Sequence, residues 1–173
     1  DEVFDFVWCS GVLHHTKDPY AGFEIIQRSL KSNGYIFIGL YNKYGRFRTY
    51  VRQRLYKIFG VKLIMLMDPY LRSLDQNTSQ RKINAWIRDQ YEHPVEKMHT
   101  FDEVLGWFDS NNIEFINSIP SINGGDQNLY FKKNARGRGS SLSRIVVQIN
   151  MIFSNLGGEG GLFIMIGKKI PKN

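Results

Sequence analysis

The opening run "FDFVWCSGVLHHTKDPYAGFEIIQRSLKSNGYIFIGLYN" leaves few folds open to this chain. Residues 4–9 are a continuous apolar stretch rich in Phe, Val and Trp, which predicts a strand buried on both faces. It stops at Cys9, Ser10 and Gly11. Asp18 before Pro19 predicts a helix start, because the carboxylate accepts from free N–H groups and proline suits the first helical position. Phe23, Ile26 and Leu30 recur on one face, with Ile25 beside them. Asn33-Gly34 predicts the helix end, glycine supplying the left-handed residue. A second strand follows over 35–41. Strand, helix and strand with short loops predict two parallel strands joined by a right-handed crossover. Ligands of such sheets bind beyond the carboxyl ends of the strands, so Ser10–His15 and Tyr41–Tyr44 are the exits to watch.

The remaining chain reads as helices and late strands. Phe47, Val51, Leu55 and Ile58 step by three and four, which predicts an amphipathic helix in "KYGRFRTYVRQRLYKIFGVKLIMLM". That stretch, Lys43 to Met67, holds seven Lys or Arg and no acid. Residues 68–80 read as a loop and 81–90 as a helix. Thr100 with Glu103 predicts a capped helix over 101–110, burying Phe101, Val104, Leu105 and Phe108. "IEFINSIP" reads as a strand closed by Pro120, and residues 121–139 as a loop. A helix over 141–153 has Leu142, Ile145, Val146 and Ile149 along one side. "GGEGG" is a turn and "LFIMIGKK" the last strand, which can pair antiparallel at an edge. The whole predicts a mostly parallel three-layer α/β domain with residues 43–99 inserted as a helical segment or lid. The strand is under way within a few residues of Asp1, which predicts further chain upstream.

Composition sets bounds on partners. The net charge of +7 favours anionic partners such as phosphates, nucleic acid, acidic lipid or an anionic cofactor. One cysteine excludes a disulfide framework within the chain and points to a reducing compartment, with a cytoplasmic location as the expectation. No apolar stretch reaches the length of a membrane span.

Several residues invite chemistry. One imidazole of His14 and His15 can line a cleft as a base or donor near neutral pH; the plainer reading packs one ring and solvates the other. Ser10 followed by Gly11 lets a flat group approach the backbone. Cys9 reads as core, and Ser10 lacks the Gly-x-Ser-x-Gly elbow of a hydrolase. Tyr41 and Asn42 leave the second strand at the same edge, as substrate contacts or an ordinary turn. "DQYEHP" gathers Asp89, Gln90, Tyr91, Glu92 and His93, as part of a lid or as a polar helix end. Metal is not expected, since His93 and His99 lie apart with no HExxH or paired-cysteine spacing. The basic helix from Arg46 to Lys57 fits a solvated cover first, then a membrane surface, with no strong nucleic-acid signal. "ARGRGSS" and "GGEGG" lack the spacing of nucleotide loops and read as flexible connections.

The opening run resembles the second half of a class I S-adenosylmethionine-dependent methyltransferase of the small-molecule type. The F-D-x-V pattern of that family's fourth strand is Phe4 to Val7. Its exit, a small residue then x-x-L-H-H, is Ser10, Gly11, Val12, Leu13, His14 and His15. The L-K-x-x-G before its fifth strand is Leu30, Lys31 and Gly34. The resemblance implies a Rossmann-like three-layer sandwich, here incomplete at the N-terminus, whose last strand is antiparallel. It implies S-adenosyl-L-methionine as cofactor, bordered by Ser10, Gly11, Val12 and Leu13. It places His14 as the catalytic candidate at the cofactor–substrate junction. With it, the residues read above give His15, Tyr41, Asn42, Tyr91 and His93 as the candidates to contact a small-molecule substrate with an O, N or C acceptor. The family's Gly-rich cofactor loop has no counterpart here. The chain is thus expected to form the carboxyl-terminal part of the domain, inactive by itself. A basic nucleic-acid or acidic-membrane module and a nicotinamide oxidoreductase fragment are the competing readings.

Overall fold

The computed structural model describes residues 2–75, 77–92, 96–124, 137–153 and 161–171. They fall into two compact units, Asp1–Arg46 with Val95–Asn173, and Phe47–Pro94. The first is a four-stranded sheet with helices. Strand β1 (Phe4–Ser10) leads through a short turn at Leu13–His15 to helix α1 (Pro19–Arg28) and strand β2 (Leu30–Tyr41). In the second unit, α2 (Phe47–Phe59), α3 (Val61–Met67), α4 (Pro69–Ser73) and α5 (Gln80–Tyr91) follow one another. The chain then returns to the first unit with α6 (Phe101–Ser110), β3 (Ile113–Ile119), α7 (Ser141–Phe153) and β4 (Leu162–Lys169).

The strand order is β1-β2-β4-β3. β1 and β2 run parallel, with Trp8 beside Phe37 and Ser10 beside Gly39. β4 lies antiparallel to both β2 and β3, as the resemblance implies for the last strand, but between them and not at an edge, so among the described strands two of the three pairings are antiparallel where a mostly parallel sheet was expected. The main core gathers Ile36, Ile38 and Leu40 of β2 with Phe23 of α1, Phe101, Val104 and Phe108 of α6, and Val147 and Met151 of α7. The opposite parity of the sheet forms a smaller cluster of Phe37, Ile116 and Ile166. There Phe6 and Trp8 meet Phe37 at ring distances of 5.0 Å and yet stay largely exposed.

Local chemistry explains the helix starts. Asp18 accepts from Ala21 N, and Pro19 opens α1. Thr100 and Glu103 exchange the two bonds of a capping box, and all four residues expected on the inner face of α6 are buried.

Other expectations need correcting. Helix α1 ends at Arg28, so Leu30 and Asn33-Gly34 belong to β2. Asn33 itself takes the left-handed conformation, while a side chain on Gly34 would meet the Leu30 side chain and the backbone oxygens of Lys31 and Asp5. The basic amphipathic stretch is two helices, separated at Gly60. The loop expected over 68–80 contains α4, capped by Asp68 and opened by Pro69. On α7 the apolar side read from the sequence points outward: Leu142, Ile145, Val146 and Ile149 are exposed, and Val147, Gln148 and Met151 are buried. Most of the loop over 121–139 and of the "GGEGG" turn lies outside the described residues.

Candidate functional site

The carboxyl ends of β1 and β2 open onto one edge of the first unit. Ser10 ends β1 half-buried, directly beside Gly39. A Cβ on Gly39 would stand 2.1 Å from Ser10 Oγ, so this glycine makes room for the serine. Gly11 is exposed, with φ +76 and open space where a side chain would be. Val12 is 56% exposed. Leu13 turns inward and joins the main core, which pins the far end of the loop. Cys9 is half-buried, and desolvation raises its thiol pKa, in keeping with a core role.

His14 is enclosed, its ring 4.2 Å from that of His15 and 4.3 Å from that of Tyr41. His15 is half-buried. Tyr41 is buried and carries the Arg46 guanidinium over its face, 3.9 Å from the centroid. Arg46 in turn donates from Nε and Nη2 to Glu96, at 2.7 and 2.8 Å. A strap of backbone crosses both strand exits. Lys97 N donates to His14 O at 2.8 Å, His99 N to Tyr41 O at 2.9 Å, and Lys43 N to His99 O at 3.0 Å.

Asn42 is fully buried. Its Oδ1 accepts from Tyr44 N and Gly45 N, and its Nδ2 donates to Gln148 Oε1 at 2.8 Å. The same Gln148 oxygen accepts from Phe101 N at 3.0 Å. Asn42 therefore shapes the turn after β2 and ties it to α6 and α7.

Beside the strap is a groove lined by Asp18, Tyr20, Lys97, His99, Glu103 and Trp107, among others. His99 Nδ1 lies 3.1 Å from Glu103 Oε2, and its ring meets Trp107 edge-on at 4.9 Å. Burial lowers the His99 pKa below the usual imidazole value, against a raising influence from Glu103. Among the described residues, no three His, Cys, Asp or Glu side chains are grouped to hold a metal ion.

Thus Ser10 to His15, Tyr41 and Asn42 come together at one edge. Tyr91 belongs to the second unit, where its hydroxyl donates to the buried Asp68; burial and that carboxylate raise the phenol pKa. His93 lies outside the described residues. The Arg46–Glu96 pair, Gln148 and the His99–Glu103 pair went unread in the sequence. Their partners are distant along the chain, except His99 and Glu103, whose i, i+4 spacing was visible.

Residues 1–38 match the family described as a methyltransferase domain. Among solved structures, that of PKMT2 from Rickettsia typhi is similar over 99% of this chain, with 13% identity and a TM-score of 0.59. The same protein in complex with AdoHcy gives 15% identity and a TM-score of 0.61, again over 99% of the chain. The chain spans little more than a third of those structures, 37% and 36% of their length. At such identity the likeness is one of fold, and it extends to the strands and helices on either side of the edge described above.

Proposed function

We propose that this chain, a class I methyltransferase fold over the part it spans, supplies one wall of a site for S-adenosylmethionine-dependent methyl transfer to a small-molecule acceptor. The observation that carries the reading is the position of Ser10, Gly11 and Val12. They lie in the segment that matches the methyltransferase domain, at the carboxyl edge of β1 where open α/β sheets bind ligands, with Gly11 and Val12 exposed and Ser10 half-buried beside them.

The residues present fit the cofactor. Gly11 lets a flat nucleoside approach the backbone, since nothing stands within 4 Å of its missing side chain. Val12 offers an uncovered apolar contact, and Ser10 a hydroxyl at the rim. Leu13, anchored in the core, keeps this loop in register. When bound, S-adenosylmethionine supplies an electrophilic methyl group on a sulfonium.

The chain's own part is alignment and proton handling. His14 is too enclosed to meet an acceptor broadly; in this reading it orients His15 and Tyr41, against which it packs. His15, half-exposed, is the imidazole that holds or takes the acceptor's proton. The groove of Tyr20, Lys97, His99, Glu103 and Trp107 favours a small acceptor with an aromatic or polar edge. An O, N or C acceptor each remains compatible with it.

The test is calorimetric titration of S-adenosylmethionine into the complete protein. Micromolar binding is expected, weakened about tenfold or more by Gly11→Val, which forces a β-branched residue to positive φ and fills the rim. Absence of binding in the unaltered protein would overturn the reading.

A further inference from the structure

Helix α2 in the second unit is built inside out. Its inner side is polar. Thr49 is buried, Arg52 Nη2 donates to Thr49 Oγ1 at 3.1 Å, and Gln53 Nε2 donates to Gln90 O at 2.9 Å. Tyr56 packs its ring 5.6 Å from Tyr91 and gives its hydroxyl to Glu92. The outer side is apolar: Phe47, Val51 and Ile58, at helical spacing, are 55%, 38% and 71% exposed. Phe59 and Val61 continue it around Gly60, and Leu66 on α3 is 73% exposed. An isolated exposed Leu needs no explanation, but a stripe along one helix and its corner does.

Charge selects what covers the stripe. Arg48, Arg54, Lys57 and Lys62 are all exposed on these two helices, and no acid lies between Lys43 and Met67. Arg54 also folds onto Tyr50, donating from Nε and Nη2 to its hydroxyl at 3.0 and 2.7 Å, which keeps a cation beside the apolar row. Aliphatic side chains ringed by cations match a bilayer interface, where the apolar row enters the acyl boundary and the cations meet anionic headgroups. Nucleic acid would find the cations but leave Ile58 and Leu66 unused. Among the described residues no helix is long and apolar enough to span a membrane, so the contact is with the surface.

We infer that the outer face of α2, with the corner into α3, is a docking surface for an anionic membrane. The test is co-sedimentation of the full chain with phosphatidylcholine vesicles, with and without phosphatidylglycerol. Partitioning should favour the anionic vesicles by about tenfold or more and weaken as salt screens the headgroups. Ile58→Glu with Leu66→Glu should abolish it. Lys57→Glu with Lys62→Glu should remove the preference for anionic lipid. Ile25→Glu, at an exposed site of the first unit, should change nothing. Circular dichroism establishes that each variant is folded, and the salt titration of the unaltered chain needs no variant. No binding, equal binding to both vesicles, or RNA binding that survives the Ile58 and Leu66 changes in place of vesicle binding would overturn the inference.

Discussion

Arg46 and Glu96, fifty positions apart, form a forked ion pair with side chains only 3% and 11% exposed. The fork holds the guanidinium over Tyr41 and so fixes the ring against which His14 packs. A buried pair adds little over a well-packed apolar pair, but removing one partner strands a charge. Glu96→Ala should therefore cost about 3–5 kcal/mol in urea unfolding. The paired change Arg46→Met with Glu96→Leu should cost much less. Equal losses in both would mean that the pair itself, and not the stranded charge, sets stability.

Gly39 and Ser10 occupy one register position of the parallel pair. Gly39→Ala brings a methyl group against Ser10 Oγ and should cost about 1–3 kcal/mol, the usual penalty for overpacking. Ser10→Gly in the same chain should return most of that loss, because only the Ser10 backbone then remains near the new methyl. Thermal unfolding of the two single variants and the double variant reads the coupling.

The same residues show what the sequence could and could not tell. Asp18-Pro19 and Thr100-x-x-Glu103 are local devices, complete within four positions, and both helix starts were readable. Asp68-Pro69 carries the same signal as Asp18-Pro19, so α4 could have been found; its five residues hold too little apolar periodicity to draw attention. The parallel pair and its exit loop were legible because an apolar strand, a cap and a second apolar strand follow within 41 positions, but the burial expected on both faces of β1 was not met, since Phe4, Phe6 and Trp8 are exposed. The orientation of α7 was not. Hydrophobic periodicity points to Leu142, Ile145, Val146 and Ile149 as the inner face, but Gln148 is drawn inward by Asn42 and Phe101 N, and Met151 follows it. That polar demand comes from residues 106 and 47 positions away, beyond any local pattern.

Asn42 and Gln148 make the next prediction. Asn42→Ala removes the acceptor for Tyr44 N and Gly45 N and takes from Gln148 Oε1 one of its two donors, the other being Phe101 N. Unmet buried polar groups cost about 1–3 kcal/mol, so a loss of this order is expected. Gln148→Ala alone should also destabilise, by freeing Phe101 N at the start of α6. The double variant should lose less than the sum, with a coupling above about 0.5 kcal/mol in a double-mutant cycle.

His99 supplies a prediction in pH. Burial lowers its pKa in the folded chain below the ordinary imidazole value, so the folded form prefers the neutral ring. The unfolded chain then binds more protons than the folded one between the two pKa values, and stability rises with pH across that window. Above the unfolded value the contribution of the neutral ring is complete. As pH falls below it the contribution declines, and it levels off below the folded pKa. Glu103, 3.1 Å from Nδ1, opposes the shift, so Glu103→Gln should lower the His99 pKa further and extend the decline to lower pH. Urea unfolding of the full chain from about pH 5 to 8, around the ordinary imidazole value, reads the slope. His99→Phe should flatten that slope, keeping an aromatic edge against Trp107 but carrying no titrating group. A slope unchanged in His99→Phe would assign the pH dependence to another residue.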